Sequence, residues 1–162
     1  MALNGYLKLK GQKQGDIKGS VTQKGREGKI MVIAASHQII SPRDPASGLA
    51  TGKRMHHAFV ITKEVDKSSP LLYSALVNNE NITQWELQFW RAAASRTEKQ
   101  NYTVKLTNAS IASISFTMPN NKNPDLAKRV ECEDIAFTYQ KIEWTWTDGS
   151  ITASDGWESP VA

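Results

Sequence analysis

Apolar residues recur at every second position through most of this chain, and that period leaves little choice of fold. From Thr83 to Phe89, Trp85, Leu87 and Phe89 fall on one face and Gln84, Glu86 and Gln88 on the other, the pattern of a half-buried strand. From Tyr102 to Met118 the even positions read Tyr, Val, Leu, Asn, Ser, Ala, Ile, Phe and Met, while the odd ones are mostly Thr, Lys and Ser. Held in one strand, that run would reach about 55 Å, so it is expected to bend around a barrel or pass from one sheet to another. From Val130 to Trp146 the apolar parity changes twice: Val130 and Cys132, then Ile135, Phe137 and Tyr139, then Ile142, Trp144 and Trp146. A one-residue slip exchanges the faces of a strand, so each change predicts a bulge or a strand apolar on both sides. Leu3–Lys10, Lys29–Ile40 and His56–Val65 complete the expected strands.

One segment has the other period. Ser69 is placed to cap a helix, Pro70 suits its first position, and Leu72, Tyr73 and Leu76 follow at helical spacing. With Asn78-Asn79 as a stop, a short helix is predicted over 69–79, covering an open end of the β structure, with Leu72 and Leu76 as its anchors. Between the second and third expected strands lies Ser41–Met55, SPRDPASGLATGKRM, which carries two prolines and two glycines and has no periodicity. Loops of this length are uncommon inside a domain and are often functional. Residues 149–162 read as an extended or loosely attached tail. The whole chain, 1–162, reads as a single mainly β domain.

Composition narrows the function classes. Of 162 residues, 40% are hydrophobic and 22% charged, enough apolar material for a core. No stretch approaches the ~20 apolar residues of a membrane-spanning helix, so no membrane insertion is expected. The opening MALNGYLKLKGQKQGD loses its apolar character too early to read as a cleaved signal peptide. Cys132 is the single cysteine, which excludes an intrachain disulfide and any CxxC site. The net charge of +4 is gathered early, at Lys8, Lys10, Lys13, Lys18, Lys24, Arg26 and Lys29 against Asp16 and Glu27. Such a run can steer nucleic acid or an anionic membrane. On strand edges the same lysines discourage edge-to-edge pairing, and no nucleic-acid partner is expected.

No pattern of chemistry-bearing residues stands out. Gly48-x-x-x-Gly52-Lys53 resembles a phosphate loop only superficially: it is one residue short between the glycines, and Arg54 stands where Ser or Thr is needed. His56 and His57 are adjacent, so on a strand they point to opposite faces. His37 can meet either of them across a sheet, but no carboxylate or cysteine lies at ligand spacing. Glu131 and Glu133, two apart, read as a solvated stripe rather than an acid–base pair. The five tryptophans can build a platform for sugars or bases, although Trp85, Trp144 and Trp146 are in phase with aliphatic neighbours and read as core or subunit contact. No catalytic residue, metal or cofactor is expected. The residues alone reach a binding or assembly module.

The strand ending in Lys63-Glu64-Val65-Asp66-Lys67-Ser68-Ser69-Pro70 and the helix after it carry a further signal. The segment FVITKEVDKSSPLLYSAL resembles the strand-to-helix junction of the Hcp family of type VI secretion systems. The succession Gly5–Lys10, the glycine-bounded turn Gly11–Gly19, Ile30–Ile40, Trp85–Arg91, Tyr102–Met118 and Val130–Trp146 extends the resemblance over nearly the whole chain. The resemblance implies a β-barrel of two antiparallel sheets with one short helix, similar to phage tail-tube proteins. It implies a structural subunit rather than an enzyme: homohexameric rings stacked into a hollow tube, capped by a spike protein, expelled by a contractile sheath and loaded with effector cargo. Such a protein is cytoplasmic before firing and extracellular afterwards. In such a tube, strands supply the lateral contacts and something projecting supplies the axial ones. The loop Ser41–Met55 is that projection, with Arg43, Asp44, Lys53 and Arg54 expected to pair with the next ring. It lacks the polyglycine run of many relatives and has Pro42 and Pro45 instead. A bacteriophage-like tail-tube subunit and, in another class, a carbohydrate-binding β-sandwich are the competing readings.

Overall fold

A computed structural model describes residues 1–158; the end of the expected tail, 159–162, lies outside the described residues. The N-terminal alternation becomes sheet at once. Strand β1, Gly5–Gly11, buries Leu7 and Leu9 and exposes Lys8 and Lys10. Along one side it pairs with β2, Gly15–Ile17, and with β3, Ile30–Val32. The chain then leaves this sheet at Ile33. Strand β4, Ala34–Ser36, joins a second sheet, and β5, Ile39–Ile40, a third. The single strand expected over Lys29–Ile40 is thus three, because one segment serves three sheets in turn.

Strand β6, Met55–His56, pairs with β5, and β7, Phe59–Glu64, pairs with β4. Helix α1, Ser69–Val77, begins where expected and ends two residues sooner, with Ser68 rather than Ser69 at the cap position and Pro70 in the first turn. Ser68 offers no side-chain cap; Asp66 organises the corner instead. Its carboxylate accepts from the Ser68 N–H at 2.8 Å and its carbonyl from the Ser69 N–H at 3.1 Å, while Ser69 Oγ accepts from the Asp66 N–H at 3.0 Å. Leu72 and Ala75 are fully buried under the helix, and Leu76 is partly buried against the same core.

The long strands follow: β8, Ile82–Ala92; β9, Glu98–Thr107; β10, Ser110–Thr117; β11, Cys132–Thr138; β12, Lys141–Trp146; and β13, Ile151–Gly156. One sheet runs β13-β12-β9-β8-β1 with β2 and β3 on the far side of β1, and another runs β10-β11-β7-β4, every pairing antiparallel. The described residues are mainly β with one α-helix, and both sheets and the helix contribute to one apolar core. At its centre Trp85 meets Phe59 and Phe137 edge-on, with ring centroids 5.1 and 5.5 Å apart.

The long even-phase run Tyr102–Met118 is two strands in two sheets. Asn108 takes a left-handed backbone, φ 49°, and Ala109 bridges Ile82, so β9 in one sheet becomes β10 in the other. Val104 and Leu106 are buried before the crossing, Ala109 and Ile111 after it. Phe116 and Met118, which a single phase groups with Val104 and Leu106, stand exposed. The second parity change, between Tyr139 and Ile142, is likewise a passage from β11 to β12 across sheets rather than a bulge. The expected tail is a strand over 151–156, since β13 pairs with all of β12.

Candidate functional site

Ser41–Met55 is not an irregular loop. It is the extension of the β5–β6 hairpin, and its residues build it. Arg43 and Ala50 form an isolated bridge, the Asp44 N–H donates to Leu49 O at 2.8 Å, and the Thr51 N–H donates to Pro42 O at 2.8 Å. Asp44 turns the tip: its carboxylate accepts from Ser47 Oγ at 2.6 Å and from the Ala46 N–H at 3.2 Å. Those bonds hold its carboxyl below the usual aspartate range, the Ser47 hydroxyl first and the Ala46 amide next. Gly48 and Gly52 occupy the positive-φ positions, 71° and 73°, that side chains avoid. Pro45, Ala46, Leu49 and Ala50 are exposed.

The root of this hairpin is fastened by a chain of side chains from four segments. Arg54 grips Asp155 of β13 with two guanidinium nitrogens, Nη2 lying 2.6 Å from Oδ1. His56 Nε2 meets the same carboxylate at 2.8 Å, and His56 Nδ1 lies 2.9 Å from the Tyr139 hydroxyl. His37 Nε2, from just before β5, reaches that hydroxyl at 2.7 Å. One phenol therefore holds both legs of the hairpin. Apolar rings wall the chain in: His37 stacks on Phe59 at 5.2 Å and His56 on Trp157 at 5.7 Å. The Arg54 hydrogen bond holds the Asp155 carboxyl down to about 2. Burial, followed by the nearby His56, pushes the His37 imidazole below its ordinary range, and burial raises the Tyr139 phenol.

Of the four charges expected to reach the next ring, two are otherwise engaged. Arg54 is committed to Asp155 within the chain, and Asp44 to its own turn. Arg43 and Lys53 are exposed and form no ion pair among the described residues. The Asp155 partnership left no signal in sequence, since a carboxylate in a Ser-Asp-Gly stretch reads as loop. His37 and His56 do meet across the structure, as their spacing allows, but around a tyrosine. Among the described residues no cluster of His, Cys, Asp and Glu can hold a metal ion.

Two other expectations change. Glu133 is no solvated stripe: it is 2% exposed, with Lys63 Nζ 3.0 Å away, and Lys63 also meets Asp66 at 3.1 Å and Ser69 Oγ at 3.0 Å. This buried cluster ties β7 and β11 to the start of α1 and gives Lys63, Asp66 and Ser69 of the strand-to-helix junction a shared structural task. Two of the early basic residues face partners within the chain. Arg26 lies over the rings of Tyr6 and Trp90, 4.8 and 4.4 Å from their centroids, and pairs with Glu98. On the outer face of the large sheet Lys8 stands opposite Glu86, Glu86 opposite Lys105, and Lys105 opposite Glu143. Alternating charges across four neighbouring strands cancel there.

Comparison with known proteins gives these features a context. The model of the family "Type VI secretion system effector, Hcp" matches residues 6–146. The "Major exported protein" of Pseudomonas aeruginosa is 42% identical over 171 residues, covering 100% of this chain and 99% of that protein. Among solved structures, a crystal structure of an Hcp protein superposes with a TM-score of 0.89 at 30% identity, covering 97% of this chain and 99% of the other. A double mutant of Hcp1 from E. coli EAEC 042 gives 0.84 at 35% identity, with 96% and 99% covered. A family match over most of the length, a full-length relative and two near-complete superpositions agree with the junction around Lys63 and Asp66: the chain belongs to the Hcp family of type VI secretion proteins.

Proposed function

We propose that this chain is a structural tube subunit, closing into hexameric rings that stack into a hollow, exported tube and carry effectors. Open sheet edges support the reading most directly. Strand β10 ends the smaller sheet and β13 the larger one, and each free edge displays large apolar side chains. Phe116 is 55% exposed and Ile151, which stands opposite Trp146, is 68% exposed. Edges of this kind invite pairing unless covered, and two different edges suit a heterologous contact that closes by rotation. The charge-balanced outer face of Lys8, Glu86, Lys105 and Glu143, extended by Thr107 and Thr145, suits the wall of a water-filled channel. Those four charges alternate in sign from strand to strand.

The hairpin then supplies the axial contact. Its turn is ordered before docking, so little conformational entropy is lost on binding, and Arg43, Lys53 and Leu49 remain for the next ring. Spike, sheath and effectors are the partners, and export proceeds through the secretion machine. Buried Lys63 and Ser69 serve the fold, and the protein is not an enzyme. The carbohydrate-binding alternative needs an open aromatic platform, whereas Trp85 is 1% exposed and Trp90 is covered by Arg26. Light scattering on the eluting protein tests the ring: a mass near six subunits is expected. A monomer at micromolar concentration contradicts the reading.

A further inference from the structure

The hairpin root has a property that a purely structural joint does not need. Tyr139 Oη has one proton to donate and two lone pairs to accept with, and it sits between two imidazoles at 2.7 and 2.9 Å. With both histidines neutral the chain closes in one direction. His37 Nε2–H donates to Tyr139 Oη, Tyr139 O–H donates to His56 Nδ1, and His56 Nε2–H donates to Asp155. With one proton added at His56 it closes in the other: His56 Nδ1–H donates to the phenol, and the phenol O–H donates to His37 Nε2. A second proton has no such solution. Both rings then donate to one oxygen, the phenolic proton loses its acceptor, and two imidazolium cations face each other across a single hydroxyl.

The surroundings do not relieve that state. The charged and titratable groups at the site are Arg54 and Asp155 beyond His56 and His57 beside His37. Asp155 already serves both Arg54 and His56, and Phe59 and Trp157 cover the imidazole faces.

We propose that the His37–Tyr139–His56–Asp155–Arg54 chain is a proton-sensitive latch: closed, it fastens both legs of the β5–β6 hairpin to the body of the subunit, and acidification releases them. On the reading of this hairpin as the axial contact, the latch sets how rigidly the stacking arm is presented. The latch itself is a property of the single subunit. Released, His37 takes up a proton in water more readily than when latched, where burial and the nearby His56 oppose it. Below about pH 6.5, the ordinary imidazole range, each pH unit therefore shifts the equilibrium toward release by up to about tenfold.

Hydrogen exchange on the full chain tests this, read as protection factors so that intrinsic exchange cancels. Between pH 7.5 and 5.5 the hairpin amides, among them Asp44 and Thr51, are expected to lose about tenfold in protection, while the amides of β7 and β11 keep theirs. His37→Gln keeps an Nε2 donor toward the phenol and cannot be protonated, so its hairpin protection should hold at both pH values. Asp155→Asn should lose protection at both. Wild-type protection that does not change with pH, or the same loss in His37→Gln as in wild type, overturns the latch. Because exchange is read irrespective of stacking, failure of the axial-contact reading appears separately, as tubes that form without the hairpin.

Discussion

Two side-chain clusters fasten a β-strand corner in this protein, and they do it in opposite ways. At the start of α1, Lys63, Glu133, Asp66 and Ser69 form a cluster in which Lys63 is 0% and Glu133 2% exposed. At the hairpin root, Arg54 and Asp155 are each 24% exposed at the side chain, and the joint turns on two imidazoles sharing a phenol. The first is a buried ion pair with its hydrogen bonds filled, which is costly to disturb at any pH near neutral. The second includes a histidine, His37, whose pKa burial lowers, so acid works against the folded joint. On the latch proposal one corner is permanent and the other releasable, and the releasable one carries the β5–β6 hairpin.

Breaking the permanent corner should have the largest effect. Lys63→Met leaves Glu133 buried without its cation, and the loss is expected to be about 3–5 kcal/mol in a urea melt. Replacing both partners together, as Lys63→Met with Glu133→Leu, should recover most of it, because no charge is then left unpaired. If the single variant melts like wild type, the cluster is not what holds α1 to the sheets.

Tyr139→Phe comes next. It removes the shared hydroxyl from two ring nitrogens and should cost about 1–3 kcal/mol. The loss of exchange protection should concentrate at 39–56 rather than at Leu72 or Ile135. Uniform loss would erase the distinction between the corners.

The pH dependence is smaller and separates them further. The His37 pKa is lowered on folding, so the unfolded chain binds that proton more readily. Stability is full above the unfolded value of about 6.5 and declines as pH falls below it, until His37 titrates in the folded state. Asp155, held down to about 2, adds a second decline: its contribution is present above about pH 3.9 and is lost as pH falls through the folded value. Thermal melts from pH 8 to 3 should show both declines in wild type, and only the lower one in His37→Gln. An unchanged melting temperature from pH 7 to 5 would count against the first.

Smallest in stability are Arg43→Ala and Lys53→Ala, expected within about 0.5 kcal/mol of wild type because both side chains are exposed and form no ion pair among the described residues. Their effect should fall on ring-to-ring association, measured by sedimentation at rising salt.

The comparison also shows what the sequence could reveal. Strand alternation around Trp85, Leu87 and Phe89 and the helical spacing of Leu72 carry straight into the structure, since each reflects a local period against one core. Sheet crossings were harder. At Asn108 the apolar parity continues through a left-handed residue that moves the chain to another sheet, so the period persists while the buried face changes. Glu133 read as solvent-facing because charge in a strand usually is, yet it is buried together with Lys63. Their burial depends on a pairing between residues 70 positions apart in sequence. Asp155, in a stretch that looks like tail, acquires its role only from β13 lying beside β12 and the hairpin. Periodicity reports faces, and neither corner is a matter of faces.

The central claim is that this hairpin joins ring to ring while the strands close each ring. The most direct measurement replaces Arg43–Gly52 with a short Gly-Ser turn and images the purified protein beside wild type by negative-stain microscopy, with light scattering for mass. Rings of near six subunits that no longer stack are the predicted result. Stacks that form as readily without the hairpin tip, or a variant that fails to make rings at all, would contradict the assignment.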